Sequence, residues 1–126
     1  MPVVYIIEDD VIMSECLELA VQASLQTVRV ETFSNAIAAM ERISDQLPDL
    51  ILLDVILDGP DGFTFLNELV SYHDTAQIPI IIISSLHLAP SDLEHYGVVK
   101  VLDKATMTPA SIAAAVGEGM RHVERS

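Results

Sequence analysis

Five short runs of apolar residues along the chain have the pattern of β-strands. Residues 3–7, 50–53 and 79–83 are continuously apolar, which is typical of parallel strands covered on both faces. Residues 28–33 alternate between two sides, as expected for a strand nearer the edge of a sheet, and residues 98–102 form the fifth run. Because residues 79–83 are the most hydrophobic, we expect their strand to be central.

Apolar residues recur at helical spacing in the segments between and after these runs. Four amphipathic helices are predicted. The inward-facing positions are Met13, Leu17, Ala20 and Ser24 in the first helix; Ala36, Met40, Ile43 and Leu47 in the second; Phe63, Leu66, Leu69 and Val70 in the third; and Ile112, Val116, Met120 and Val123 in the last. Ser34 and Thr108 are predicted N-caps, and Pro109 suits the first position of the last helix, where a missing N–H costs nothing. Pro90, Ser91 and Gly97 leave little room for a helix between the fourth and fifth strands. The helix expected between the fourth and fifth strands, which is the fourth helix of this fold in chain order, should therefore be short or degenerate.

Strands that alternate with helices are joined by right-handed crossovers and form a parallel sheet covered on both faces. The prediction is a doubly wound, three-layer α/β fold around a five-stranded parallel sheet. The sequence contains no internal repeat, linker or low-complexity segment, so we interpret residues 1–126 as a single domain.

The net charge of the chain argues against some classes of function. It has 6 Lys+Arg against 19 Asp+Glu, a formal net charge of −13. Such a surface repels phosphate backbones and anionic lipids, so we expect no direct binding of nucleic acid or membrane. The apolar runs are shorter than a transmembrane helix and no signal peptide is evident, so the expected location is cytoplasmic. The single cysteine, Cys16, excludes an internal disulfide, and we expect it to pack among apolar neighbours in the first helix.

Polar residues that carry chemistry follow four of the five predicted strands. In a doubly wound sheet, ligands bind beyond the carboxyl ends of the strands. Glu8 and Asp9 follow the first strand, Asp54 ends the third, Ser84 follows the fourth and Lys104 follows the fifth. Carboxylates brought this close raise one another's pKa unless a cation intervenes, and a hard ion of the Mg²⁺ type suits them.

Five blocks of sequence resemble the receiver domain of two-component response regulators. They are IIEDD at 6–10, PDLILLD at 48–54, GPDG at 59–62, PIIIIS at 79–84 and LDK at 102–104. The resemblance covers the whole chain in order, and it implies a flavodoxin-like strand order 2-1-3-4-5.

The resemblance implies a role for each residue at the strand ends. Asp54 corresponds to the aspartate that accepts a phosphoryl group, Ser84 to the hydroxyl that binds a phosphoryl oxygen, and Lys104 to the lysine that pairs with the phosphoryl group or the carboxylate.

For the cofactor, Mg²⁺ or Mn²⁺, the resemblance implies Asp9 and Asp54 as ligands. Glu8 would act through water, and the backbone carbonyl of Ile56 would be the third protein ligand.

The expected function is that of a phosphorylation-dependent switch rather than an enzyme, with at most self-phosphorylation and self-dephosphorylation activity. The implied partners are a histidine kinase or histidine phosphotransfer protein, and a downstream protein or a fused output domain; a homodimer is left open. The alternative is a module of the same fold that works without phosphorylation. A phosphohydrolase with an aspartate nucleophile would need a second acid where Ile56 stands.

The C-terminal third departs from the family pattern. Ala105 stands where a proline with a cis bond is usual, so we expect a trans bond there. Val101 replaces an aromatic switch residue, and the segment from Ser84 to Lys104 is about two residues short, which puts the usual output route in doubt. Ile56 and Leu86 are apolar and cannot orient an attacking water, so we expect the phosphorylated form to be long-lived.

Overall fold

The computed structural model describes residues 1–57, 62–85, 88–89 and 93–125. Asp58 and the GPDG loop up to Asp61 lie outside these residues, as do Leu86, Pro90 and Ser91. The predictions that involve these positions therefore stay predictions.

The five predicted strands form one parallel sheet in the order β2-β1-β3-β4-β5. Their bounds are Val3–Ile7 for β1, Arg29–Phe33 for β2, Leu50–Asp54 for β3, Ile80–Ser84 for β4 and Val98–Asp103 for β5. Every residue of β1, β3 and β4 is buried, whereas β2 at the edge is partly exposed. The strand order and the edge position of β2 agree with the sequence prediction. The middle of the sheet is β3, and β4 lies next to it.

Helices cover both faces of the sheet. They are α1 Val11–Ser24, α2 Ala36–Asp45, α3 Gly62–Val70, the one-turn α4 His73–Ala76, and α5 Pro109–Arg125. Thr108 caps α5 as predicted, because its Oγ1 accepts the backbone N–H of Ser111 at 3.1 Å. Between β4 and β5, the described residues contain only a 3-10 turn at Glu94–Tyr96, which agrees with a degenerate helix at that place.

Two apolar cores fill the space between the sheet and the helices. Alternate strand residues such as Val4, Ile6 and Ile81 pack against α1 and α5 on one face. Their neighbours, such as Tyr5 and Ile82, pack against α2 and α3 on the other face. The result is the predicted three-layer arrangement, in which the carboxyl ends of the five strands all lie at one edge of the sheet.

Three local predictions were wrong. The N-cap of α2 is Asn35 rather than Ser34, since Asn35 Oδ1 accepts the backbone N–H of Ala38 at 2.9 Å. Leu47 lies beyond the end of α2 and is exposed, because the helix stops at Asp45. Cys16 is exposed rather than packed, because it lies on the outer side of α1, away from the buried Leu17 and Ala20.

Within the part of the chain that the structure describes, no helix has the length and apolar character that crossing a membrane requires.

Candidate functional site

The register of the sheet brings the strand-end residues together at one edge. Asp54 is level with Ile83, and Ser84 is level with Asp103, which immediately precedes Lys104. The backbone N–H of Lys104 donates to the carbonyl oxygen of Ser84 at 2.9 Å and joins the ends of β4 and β5. Parallel strands thus place a carboxylate, a hydroxyl and an ammonium group side by side without help from the loops.

The Asp54 carboxylate is buried and held by one donor on each oxygen. The backbone N–H of Ile56 donates to Oδ1 at 2.9 Å, and Lys104 Nζ donates to Oδ2 at 2.8 Å. The side chain of Asp54 is only 5% exposed. These contacts orient the carboxylate toward the loop edge, and among the described residues they leave each oxygen with a lone pair for a further partner.

A second carboxylate shares the same ammonium group. Lys104 Nζ lies 2.6 Å from Glu8 Oε1. Within the described residues, neither oxygen of the buried Glu8 carboxylate accepts an aligned hydrogen bond, so this contact is an ion pair. One cation therefore faces two carboxylates, Glu8 and Asp54, and the charge of the group is not balanced.

This shared environment shifts the protonation of both side chains. Burial, together with the neighbouring Asp54 carboxylate, raises the pKa of Glu8 to about 7, and the attraction of Lys104 offsets only part of that rise. Burial by itself would lower the pKa of Lys104, but its contacts with Asp54 and Glu8 outweigh that effect and raise it. The Glu8 carboxyl therefore keeps its proton to a higher pH than an exposed glutamate does.

The acidic residues at this edge fit a divalent cation. Glu8, Asp9 and Asp54 each offer a carboxylate oxygen, and these atoms all lie within 4.8 Å of one another. Within the described residues, Lys104 is the cation paired with both Glu8 and Asp54, so this cluster holds less positive than negative charge. Hard cations such as Mg²⁺ take oxygen ligands of this kind. The third member of the acidic run, Asp10, caps α1 through the N–H of Met13 instead, at 3.0 Å.

The loop after Lys104 is built around Ala105 rather than a proline. The backbone N–H of Ala105 donates to Asp103 Oδ1 at 2.8 Å, and the Asp103 carbonyl accepts the N–H of Met107 at 2.8 Å. A proline has no N–H to make the first of these bonds. No described peptide bond is cis, which agrees with the trans bond predicted before Ala105.

Gly62 is a residue whose importance the sequence interpretation missed. Its backbone N–H donates to the Val55 carbonyl at 2.9 Å. A Cβ at this position would lie 2.4 Å from Val55 Cα and 2.9 Å from the Asp54 carbonyl oxygen. Only glycine lets the start of α3 lie this close to the segment that follows Asp54. The signal available in the sequence was a glycine at the end of the loop after Asp54.

Other residues of the predicted site occupy the expected places. Ser84 is fully buried at the end of β4, and Val101 is half-buried and packs against the core on the α2–α3 face. The side chain of Ile56 is 49% exposed beside Asp54. Its carbonyl as a metal ligand, and the phosphoryl contacts of Ser84 and Lys104, stay predictions.

Known proteins resemble this chain over most of its length. Residues 4–116 match the family described as response regulator receiver domain. A protein-glutamate methylesterase/protein-glutamine glutaminase of Rhodopseudomonas palustris is 33% identical over 90 residues, which are 71% of this chain and 24% of that protein. A second such protein, from Oleidesulfovibrio alaskensis, is 30% identical over 80% of this chain. The chain thus spans only 24% and 29% of the length of these two relatives.

Solved structures share the fold at low identity. The response regulatory domain of protein mrkE from Klebsiella pneumoniae superposes with a TM-score of 0.86 at 14% identity, over 98% of this chain and 99% of that one. The Mn²⁺-bound form of response regulator Rcp1 gives a TM-score of 0.69 at 24% identity, over 93% of this chain and 91% of that one.

Proposed function

Because this chain belongs to the response regulator receiver domains, the phosphoacceptor switches of two-component signalling, we propose that Asp54 accepts a phosphoryl group from a phosphohistidine. The donor is a histidine kinase or a histidine phosphotransfer protein. The observation that carries the proposal is the environment of Asp54, whose carboxylate is buried, bonded to Lys104 Nζ at 2.8 Å, and close to two further carboxylates.

In the proposed reaction, an Asp54 carboxylate oxygen forms a bond to phosphorus while the N–P bond of the phosphohistidine breaks. The imidazole nitrogen keeps the electron pair of that bond and takes up a proton. The two donors on Asp54, from Ile56 and Lys104, hold the carboxylate so that a remaining lone pair faces the incoming group. Lys104 also offsets the negative charge that the donor brings into an acidic site.

Mg²⁺, or Mn²⁺ in its place, would be held by Asp9 and Asp54, by the carbonyl of Ile56, and by Glu8 through water. When bound, the ion would supply the positive charge that brings an anionic phosphoryl oxygen next to the Asp54 carboxylate. The geometry supports this assignment, because carboxylate oxygens of Glu8, Asp9 and Asp54 lie within 4.8 Å of one another. Burial and the neighbouring Asp54 carboxylate raise the pKa of Glu8, and a bound cation would oppose that rise.

The proposed switch follows from the contact between the ends of β4 and β5. An acyl phosphate on Asp54 carries close to two negative charges and new acceptor oxygens. The Ser84 hydroxyl and the Lys104 ammonium would donate to those oxygens. Since the Lys104 N–H is bonded to the Ser84 carbonyl at 2.9 Å, both residues would move together and carry the loop after β4 with them.

The output is proposed to be a protein contact. This chain matches only part of much longer relatives, so the output belongs to a fused domain or to a separate protein. No catalytic turnover is proposed for the receiver itself beyond acquisition and loss of its own phosphoryl group.

The test is the intact mass of the protein after incubation with Mg²⁺ and acetyl phosphate. Wild type should gain about 80 Da, one phosphoryl group, and Asp54→Asn should gain nothing. Asp45→Asn is the matched control, because it makes the same chemical change at an exposed position at the end of α2. It should be labelled like wild type.

Two other results would contradict the proposal. An adduct that persists in Asp54→Asn would place the acceptor elsewhere. If neither acetyl phosphate nor a phosphohistidine donor labels the wild type, and Mg²⁺ does not bind, the chain is a module of the same fold that works without phosphorylation.

A further inference from the structure

A groove runs along the outer face of the molecule between α2 and α3. It consists of two adjoining cavities of about 360 and 470 Å³, which share Met40 and Glu68 in their linings. We call it the α2–α3 groove and define it by its apolar side chains Ile37, Met40, Ile43, Leu47, Phe65 and Tyr72. It lies away from the acidic strand-end site, since none of the site residues line it.

Three large apolar side chains of the groove remain exposed in the folded chain. Ile37 is 55% exposed, Leu47 43% and Tyr72 59%. Between them, Phe65 and Ile43 are buried and form the floor. Exposed large apolar side chains that line a concave surface mark a site where another molecule packs.

The rim of the groove is uniformly acidic. Glu41, Asp45, Glu68 and Asp74 line it, and all four are exposed. Among the described residues that line it there is no lysine, arginine or histidine, and none of the four carboxylates forms an ion pair within the described part of the chain. The nearby Arg42 on α2 is engaged by Glu31 of β2 at 2.9 Å instead.

We propose that the α2–α3 groove is a docking surface for a basic amphipathic helix of a partner protein. An apolar stripe on that helix would cover the exposed side chains of Ile37, Leu47 and Tyr72, and flanking lysines or arginines would face the four carboxylates. The residues that line the groove include both ends of α2, Ala36 and Asp45. The ten residues of this helix span about 15 Å, so a partner helix of about three turns would lie along it.

The charge selects this occupant over a second copy of the chain. The whole chain carries a formal net charge of −13. Two copies that met through their α2–α3 grooves would bring eight rim carboxylates together with no lining cation between them. Like charges at an interface are repulsive and disfavour such a pair, whereas a basic helix relieves the repulsion already present.

The experiment uses three fluorescein-labelled amphipathic peptides with the same leucine stripe and with lysine, glutamine or glutamate at the flanking positions. Fluorescence anisotropy measures their affinity for the full chain. The lysine peptide should bind about tenfold more tightly than the glutamine peptide, and the glutamate peptide should bind least.

Two variants locate the binding. Ile37→Ser removes an exposed apolar contact, and Glu68→Lys reverses a rim charge; each should weaken the lysine peptide about tenfold. Leu19→Ser and Glu15→Lys make matching changes at exposed positions of α1 and should leave binding unchanged. All four positions are exposed, so the fold and the phosphorylation of Asp54 should survive.

Several results would overturn the proposal. The first is that the lysine peptide does not bind, and the second is that the three peptides bind equally well. The third is that Glu15→Lys weakens binding as much as Glu68→Lys does, which would indicate unspecific attraction to an acidic protein. Sedimentation that shows a dimer dissociated by Ile37→Ser would assign the groove to a second copy instead.

Discussion

Without bound metal, the wild-type protein should lose stability as the pH rises, and replacing Glu8 by glutamine should remove that loss. Glu8 is 3% exposed, and burial beside Asp54 raises the pKa of its carboxyl from 4.5 to about 7. Folded protein therefore binds a proton at Glu8 between these two pH values that unfolded protein releases. That contribution to stability is fully present below pH 4.5 and is lost as the pH rises through 7. Glutamine keeps the shape of the side chain and does not titrate.

The expected magnitude follows from the two pKa values. Each tenfold difference in proton affinity corresponds to about 1.4 kcal/mol, so the difference between 4.5 and about 7 corresponds to about 3 kcal/mol. Relative to Glu8→Gln, wild type should lose this amount of free energy of unfolding between pH 4.5 and pH 8. Since small domains are stable by about 5–15 kcal/mol, the change is large enough to measure.

The assay is urea unfolding in the presence of EDTA, for both proteins, at several pH values across this range. Glu15→Gln is the matched control, because it changes the same functional group at an exposed position of α1. Saturating Mg²⁺ should then stabilise wild type more than Glu8→Gln. At a concentration one hundred times its Kd, a ligand of the folded state contributes about 2.7 kcal/mol.

A difference between wild type and Glu8→Gln that stays constant from pH 4.5 to pH 8 would refute this reasoning. It would mean that Lys104 fully compensates the buried carboxylate in spite of its second contact with Asp54.

Three further substitutions test the surroundings of the site. Gly62→Ala should lower the free energy of unfolding in urea by about 1–3 kcal/mol and slow labelling by acetyl phosphate, because the added Cβ would meet backbone atoms. Gly117→Ala is the control and should not destabilise the fold, because its Cβ would meet only the tip of an arginine at 3.8 Å. Ala105→Pro should cost about 1 kcal/mol by thermal unfolding, since it removes the donor to Asp103. Ile56→Gln should speed the loss of phosphate from Asp54, followed by intact mass, because an amide next to the acceptor can orient water.

Most of the fold could be predicted from apolar patterning because the inner strands are buried on both faces. Short, continuous apolar runs are typical of parallel strands that helices cover on both faces. The strands β1, β3 and β4 were found where such runs predicted them. Helix ends were less predictable. Ser34 and Asn35 are both good caps, and the choice between them depends on where the chain leaves β2, which local sequence does not specify.

The strand-end residues were equally predictable, since parallel strands bring their carboxyl ends to one edge whatever the loops do. That Lys104 contacts both Glu8 and Asp54 could not be predicted, because it depends on side-chain distances of 2.6 and 2.8 Å. The close approach of Gly62 to the backbone after Asp54 was also hidden, because glycine occurs in turns of many kinds, whether or not another segment of backbone packs against it.

The departures in the C-terminal third leave the acceptor site intact because the site does not depend on them. Lys104 is positioned by its backbone bond to Ser84, and the turn after it is closed by Asp103 and the N–H of Ala105. A proline is therefore not needed to direct the ammonium group toward Asp54. The residues proposed to carry the reaction lie at the strand ends and are held by contacts among those ends. Because none of the residues that line the α2–α3 groove belongs to the strand-end site, the proposed partner of the groove would not compete with the proposed reaction at Asp54.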